Sequence, residues 1–183
     1  MSASVMQRFS NMKLLLESID KLVFGELTKK VDRLSRLTAR SDAMLAVYPG
    51  GKSRFQRHID NTANDGRRLT VLCYLNECGW KEEDGGMLRV WKIAAEDEIE
   101  NNSKQTTSSS SKTTSTNDGS CNGSESLPAV DVLPEGGRIA LFYSDKVPHE
   151  VTATNSNRYA LTVWYYDGIE RSEAVAKSKE LQR

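Results

Sequence analysis

Arg138-Ile139-Ala140-Leu141-Phe142-Tyr143, His149-Glu150-Val151-Thr152-Ala153 and Arg158-Tyr159-Ala160-Leu161-Thr162-Val163-Trp164-Tyr165-Tyr166 follow one another with only residues 144–148 and 154–157 between them. Runs this short, rich in β-branched and aromatic residues and separated by polar or Gly/Pro/Asn clusters, read as strands. The same rhythm extends back along the chain. It predicts strands over residues 43–48, 55–60, 69–75, 87–91, 129–133, 138–143, 150–153 and 159–166. The breaks fall at Pro49-Gly50-Gly51, Asn64-Asp65-Gly66, Asp84-Gly85-Gly86, Pro134-Glu135-Gly136-Gly137 and Thr154-Asn155-Ser156-Asn157. Eight short strands behind one helix fit a β-sandwich or barrel, not a parallel α/β sheet.

Ahead of the strands the period changes. Met12, Leu15, Leu16, Ile19, Leu22 and Val23 recur at helical spacing among Lys13, Glu17, Asp20 and Lys21. Gly25 is expected to interrupt this helix, and Leu27, Val31, Leu34 and Leu37 resume its stripe. The reading is a helix packed on the outside of a sheet. Glu17, Asp20 and Glu26 are acids that mitochondrial transit peptides avoid, and no apolar segment with a small-residue cleavage site opens the chain. No apolar run approaches the roughly 18 residues a membrane helix needs.

Residues 96–126 include N-N-S-K-Q-T-T-S-S-S-S-K-T-T-S-T-N-D-G-S, with almost nothing to bury. Such a segment cannot offset its ordering entropy and is expected to be a disordered surface loop inserted between two strands. The expected organisation is therefore a helical segment over residues 1–40, a β core over residues 41–171, and a charged tail over residues 172–183. Lys+Arg and Asp+Glu both total 25, which argues against a nucleic-acid surface or a polybasic membrane anchor. The three cysteines form no even set and no C-x-x-C. That excludes a disulfide scaffold and suits a reducing compartment, with Cys73 a core thiol and Cys78 a loop thiol.

The only two histidines both lie at strand ends. In His58-Ile59-Asp60 the residues at i and i+2 project from one face, so His58 and Asp60 can point together into a barrel. His149 could add a third ligand from across it. Two imidazoles and a carboxylate leave about three positions open on an octahedral ion, the arrangement of non-haem Fe(II) oxygenases. H-x-D alone is unspecific, because most such pairs are surface or hydrogen-bonding residues. The surroundings of His149 sharpen it. If residues 154–157 form a hairpin loop with Ala153 opposite Arg158, then His149 lies opposite Thr162, and Arg158, Ala160, Thr162 and Trp164 share its face. An inward guanidinium needs an anion. Either a structural Asp or Glu or one end of a dicarboxylate co-substrate would serve.

With these residues in view, the chain resembles the 2-oxoglutarate- and Fe(II)-dependent dioxygenases, specifically the prolyl 4-hydroxylases that act on hypoxia-inducible factor. The resemblance is carried by Ala46-Val47-Tyr48-Pro49-Gly50, Arg57-His58-Ile59-Asp60-Asn61, Asp65-Gly66-Arg67, Tyr74-Leu75-Asn76, Gly85-Gly86-Met87-Leu88-Arg89, Pro148-His149-Glu150-Val151 and Arg158-Tyr159-Ala160-Leu161-Thr162-Val163-Trp164-Tyr165. Collagen-type prolyl hydroxylases typically use Lys where Arg158 stands.

The resemblance implies a mainly β fold with a flanking helix, the double-stranded β-helix or jelly roll. It implies Fe(II) held by His58, Asp60 and His149, and 2-oxoglutarate as co-substrate with its distal carboxylate on Arg158 and Tyr74. Tyr48, Leu88, Thr162 and Trp164 match positions lining that pocket, and Arg67 matches one near the target peptide. Phe55 stands where animal relatives carry Tyr. The implied reaction hydroxylates a proline of a protein substrate with dioxygen and releases succinate and carbon dioxide, with L-ascorbate keeping the iron reduced. A monomer in the cytoplasm or nucleus is expected, with neither nucleic acid nor membrane as partner. The chain opens close to the helix before the barrel, so segments that close over the target in longer relatives are expected to be absent. Three alternatives stand beside this reading: the same chemistry on a ribosomal-protein proline or a non-proline residue, a jelly roll that binds metal or carboxylate without oxidation, and a zinc hydrolase.

Overall fold

A computed structural model describes residues 10–92 and 128–181. The predicted Ser/Thr-rich insert lies outside the described residues. The chain enters through helix α1 (Ser10–Asp20), which continues as a π-helical turn (Lys21–Leu27), a short α2 (Thr28–Lys30) and a 3-10 turn (Asp32–Leu34). Leu16, Ile19 and Val23 form the buried stripe. Gly25 does not break the helix. It sits in the wider π turn, where the Thr28 N–H reaches back to Val23 O.

Nine strands follow among the described residues: β1 (Leu37–Arg40), β2 (Met44–Tyr48), β3 (Ser53–His58), β4 (Arg67–Tyr74), β5 (Leu88–Trp91), β6 (Ala129–Val132), β7 (Ile139–Tyr143), β8 (His149–Thr154) and β9 (Arg158–Asp167). Helix α3 (Gly168–Glu180) closes the described chain, and none of its residues is buried. Asp167 caps it, accepting from the Ile169 and Glu170 N–H groups. Leu37 corrects one expectation. Instead of ending the helical stripe it opens β1, paired with Asp167 of β9. Its side chain still joins the core under α1, so a residue buried from a strand looks the same in sequence as one buried from a helix.

The strands form two antiparallel sheets. One has the order β1-β9-β4-β7, with β2 pairing β9 beyond β1; the other has the order β3-β8-β5-β6. This is the jelly roll the motifs imply. β4 and β9 occupy the centre of the larger sheet, and alternation sorts their side chains. Leu69, Val71 and Cys73 of β4 and Leu161, Val163 and Tyr165 of β9 meet Leu16, Ile19 and Val23 on the outer face. Leu72, Tyr74 and Ala160 turn inward against Leu88 of the other sheet. Both faces of these strands are covered, which is why β4 reads as a nearly unbroken apolar run. Tyr165 Oη donates to Asp20 at 2.7 Å and Arg40 Nε donates to the same carboxylate at 2.8 Å, fastening the helix to the sheet.

The predicted β8–β9 hairpin does not form. β8 pairs with β3 and β5, whereas β9 pairs with β1, β2 and β4. Residues 154–157 are a corner between the sheets, tied elsewhere: Asn155 N–H to Asp84 O at 2.7 Å, Ser156 Oγ to Asp84 Oδ1 at 2.6 Å, and Gly50 N–H to Asn157 Oδ1 at 3.0 Å. His149 and the Arg158–Trp164 face still meet, because the two sheets face each other across the barrel.

Candidate active site

His58 ends β3, His149 begins β8, and the two are cross-strand partners. Their ring centroids lie 4.2 Å apart. Asp60, two residues beyond His58, brings Oδ1 to 3.3 Å from His58 Nε2 and 3.7 Å from His149 Nε2. One ligand atom from each residue lies within 4.8 Å of the others, a group that could hold a metal ion.

The hydrogen bonds around these residues leave the right atoms free. His58 Nδ1 lies 2.9 Å from Gln56 O and His149 Nδ1 lies 3.0 Å from Val147 O. A carbonyl only accepts, so each Nδ1 carries a proton, and Nε2 is the atom that offers a lone pair whenever the ring is neutral. On the carboxylate, Oδ2 accepts from Thr70 Oγ1 at 2.6 Å and Trp164 Nε1 at 3.1 Å, which leaves Oδ1 facing the imidazoles. Burial opposes ionisation of Asp60, but hydrogen bonds from His58, Thr70 and Trp164 and the charge of His149 outweigh it and hold its pKa at about 2. Burial pushes His149 down, whereas the bond to Asp60 pulls His58 up. Two neutral imidazole nitrogens and one carboxylate oxygen, converging with room beyond, suit a divalent iron.

All three residues line one cavity of about 350 Å³, together with Arg67, Leu88 and Arg158. Arg158 is 1% exposed and makes no ion pair among the described residues. Its Nε donates to Gly86 O at 2.7 Å, and its guanidinium carbon lies 4.9 Å from the Tyr48 ring and 5.2 Å from the Tyr74 ring. Burial pushes the Arg158 pKa down. Among the described residues no Asp or Glu answers the guanidinium, which leaves it able to receive a ligand carboxylate. The Tyr74 hydroxyl is buried beside the guanidinium, within its reach and with no other partner among the described residues. A buried cation without a carboxylate among the described residues and a buried hydroxyl beside it fit the distal carboxylate of 2-oxoglutarate.

Of the other residues singled out from the sequence, Tyr48, Leu88, Thr162 and Trp164 all line the cavity. Trp164 does more, donating to Asp60. Tyr74 is not among the residues lining the cavity; its ring lies against the Arg158 guanidinium, which does line it. Arg67 lines the cavity too, ion-paired to Asp65 at 2.8 Å and 5.5 Å from the Trp164 ring. Phe55 packs edge-on against His58, with centroids 4.7 Å apart.

Sequence reasoning missed four contributors. Thr70 bonds Asp60, and its signal was a polar residue inside the apolar run of β4. Ser144 bonds Thr70 at 2.8 Å, a contact across 74 residues that no local pattern announces. Phe142 lies 4.5 Å from the His149 ring, on the inward phase of β7. Gly86, read as a turn and as part of a resemblance motif but given no role at the site, has φ +66°, and a Cβ there would stand 2.9 Å from Arg158 Cδ.

Comparison with known proteins agrees with this geometry. The sequence profile of the 2OG-Fe(II) oxygenase superfamily matches residues 43–166. Hypoxia-inducible factor prolyl hydroxylase of Caenorhabditis elegans is 32% identical over 172 residues, covering 93% of this chain and 19% of that protein. Prolyl hydroxylase EGLN3 of Homo sapiens is 34% identical over 172 residues, covering 92% of this chain and 57% of that protein. A prolyl hydroxylase in complex with a hypoxia-inducible factor oxygen degradation domain peptide fragment, from Trichoplax adhaerens, superposes with a TM-score of 0.54 at 31% identity. It covers 80% of this chain and 57% of that one. The chain thus spans less than two thirds of the length of each of these relatives. Its profile match, its jelly roll and its two-histidine, one-aspartate cluster agree: the chain belongs to the 2OG-Fe(II) oxygenase superfamily.

Proposed function

We propose that this chain is a peptidyl-proline 4-hydroxylase that uses Fe(II), dioxygen and 2-oxoglutarate, with a protein as substrate. One observation carries the reading: a three-donor metal cluster and a buried guanidinium that meets no carboxylate among the described residues share one cavity. His58, Asp60 and His149 hold the iron. Fe(II), when bound, couples oxidative decarboxylation of 2-oxoglutarate to insertion of one oxygen atom into the target C–H bond, releasing succinate and carbon dioxide.

The protein's part is orientation and exclusion of water. Arg158 fixes the far carboxylate of the co-substrate, and the Tyr74 hydroxyl supplies a second donor to it. This end-on clamp orients the co-substrate so that its keto-acid end faces the histidines. Tyr48 and Leu88 form an apolar sleeve, in which each charge interaction is stronger than in water. Thr162 and Trp164 complete the wall, and Arg67 receives the target peptide. L-ascorbate restores iron oxidised in turnovers without target. The protein works as a monomer, in the cytoplasm or nucleus.

The relatives' names and the peptide-bound neighbour support proline as the target residue. The test combines succinate formation from 2-oxoglutarate, with Fe(II) and proline-containing peptides, with mass spectrometry for a proline gaining one oxygen atom. Peptide-stimulated succinate with a hydroxylated proline is expected. Bound iron without any turnover would refute the reading, and activity supported by zinc and not by iron would replace it with a hydrolase.

A further inference from the structure

We propose that Thr70 and Ser144 are positioning residues: a buried chain of two hydroxyls that holds Asp60 to one-oxygen coordination of the metal. The inference rests on the metal assignment made above and concerns residues that no motif marks.

Thr70 is 1% exposed and Ser144 is fully buried. Thr70 Oγ1 lies 2.6 Å from Asp60 Oδ2 and 2.8 Å from Ser144 Oγ. The direction of the chain follows from proton counting. An ionised carboxylate can only accept, so the single Thr70 proton goes to Asp60, and Ser144 must donate to Thr70. With Trp164 Nε1 also donating at 3.1 Å, Oδ2 carries two hydrogen bonds. Turning the carboxylate to present both oxygens to a metal would break both of them among largely buried groups, where each is costly to lose. Oδ1 alone therefore faces His58 and His149. A carboxylate restrained in this way occupies one position on the ion, and positions remain for a two-oxygen chelator and a further small ligand.

Ser144 is itself fixed by backbone bonds on two sides. Its N–H donates to Arg68 O at 3.0 Å, and its carbonyl accepts from the Asn61 N–H at 2.8 Å. Asn61 follows Asp60, Arg68 precedes Thr70 on β4, and Ser144 opens the loop that leads into His149. The next residue, Asp145, pairs with Arg68 at 2.8 Å and with Arg33 at 2.5 Å, which pins that loop to β4 and to the 3-10 turn. One serine thus ties the carboxylate donor, its Thr70 partner and the approach to the second histidine into one frame. These backbone bonds survive loss of the hydroxyl, so Ser144→Ala should fold.

The test measures Mn(II) binding to the metal-free protein by electron paramagnetic resonance, with thermal unfolding as the fold control. Loss of an outer partner of a metal ligand typically weakens binding by about 10–100-fold. Thr70→Val should lose that much, Thr70→Ser should restore it by keeping the hydroxyl, and Ser144→Ala should lose less. Because Ser144 acts through Thr70, the double variant should bind as Thr70→Val does. A folded Thr70→Val that binds Mn(II) like the parent overturns the proposal, as do losses that multiply in the double variant. A purely structural role would lower the melting temperature and leave Mn(II) affinity unmoved, which also overturns it. A parent protein that binds Mn(II) yet makes no succinate with Fe(II) refutes the hydroxylase reading and leaves this inference standing on its affinities.

Discussion

Replacing Arg158 with methionine separates a ligand-binding role from a structural one. The side chain is 1% exposed, so its charge is desolvated, and no carboxylate among the described residues offsets it. In the metal-loaded protein without co-substrate, Arg158→Met loses the charged Nε bond to Gly86 O, worth about 1.5–3 kcal/mol. It also relieves a buried unpaired charge, a gain of similar or larger size, and the volume is nearly kept. The variant should therefore unfold within a few degrees of the parent. With 2-oxoglutarate the outcome reverses. Truncating one partner of a buried, hydrogen-bonded charge pair costs about 2–5 kcal/mol, which is roughly 30-fold to several-thousand-fold in affinity. At a ligand concentration of 100 Kd the parent gains about 2.7 kcal/mol, whereas a variant weakened about 100-fold gains only about 0.4 kcal/mol. For a chain of this length that is a rise of about 5–10 °C against about 1 °C. Thermal unfolding with Mn(II) in place of iron, with and without 2-oxoglutarate, reads both numbers. Equal 2-oxoglutarate shifts in parent and variant would refute the assignment of the guanidinium, and collapse of the variant without ligand would show that Arg158 serves the fold instead.

Three further outcomes follow from the same geometry. Gly86→Ala forces a side chain onto φ +66° and against Arg158 Cδ; a loss of about 1–2 kcal/mol in stability is expected, with weaker 2-oxoglutarate binding measured by calorimetric titration. Tyr74→Phe removes a buried hydroxyl whose one neighbour of note among the described residues is the Arg158 guanidinium, so its melting temperature should fall little, while 2-oxoglutarate affinity should drop by about tenfold; a stability loss with unchanged affinity would contradict that role. Of the two cysteines in the described residues, burial lifts the Cys73 thiol to about 11 while Cys78 is exposed. A raised pKa leaves Cys73 protonated until strongly alkaline pH, so a thiolate-selective reagent near pH 8 should label Cys78 in the native protein and reach Cys73 only after unfolding.

Much of the site could be read without coordinates, for a simple reason. The side-chain period of a strand is two residues, so Arg158, Ala160, Thr162 and Trp164 had to share a face once β9 was recognised; His58 and Asp60 also converge, but β3 ends at His58, so the bend beyond the strand brings Asp60 round. The hairpin argument reached the right face by a wrong pairing. A corner and a hairpin loop use the same Thr-Asn-Ser-Asn chemistry, and what distinguishes them is the strand that each flank meets. Leu37 was misplaced for a related reason, because burial under α1 is compatible with either period over so few residues.

Taken alone, the order of residues determines the alternation of β4 and β9, the spacing of His58, Asp60, His149 and Arg158, and the helical stripe from Met12 to Val23. These are local properties, set by backbone geometry and by which side chains avoid water. Only the folded chain decides that β8 and β9 lie in opposite sheets, that Arg158 finds no carboxylate among the described residues, and that Ser144 reaches Thr70 and through it Asp60. Each of those depends on groups distant in sequence, and whether a buried charge or hydroxyl is satisfied is a sum over everything packed around it.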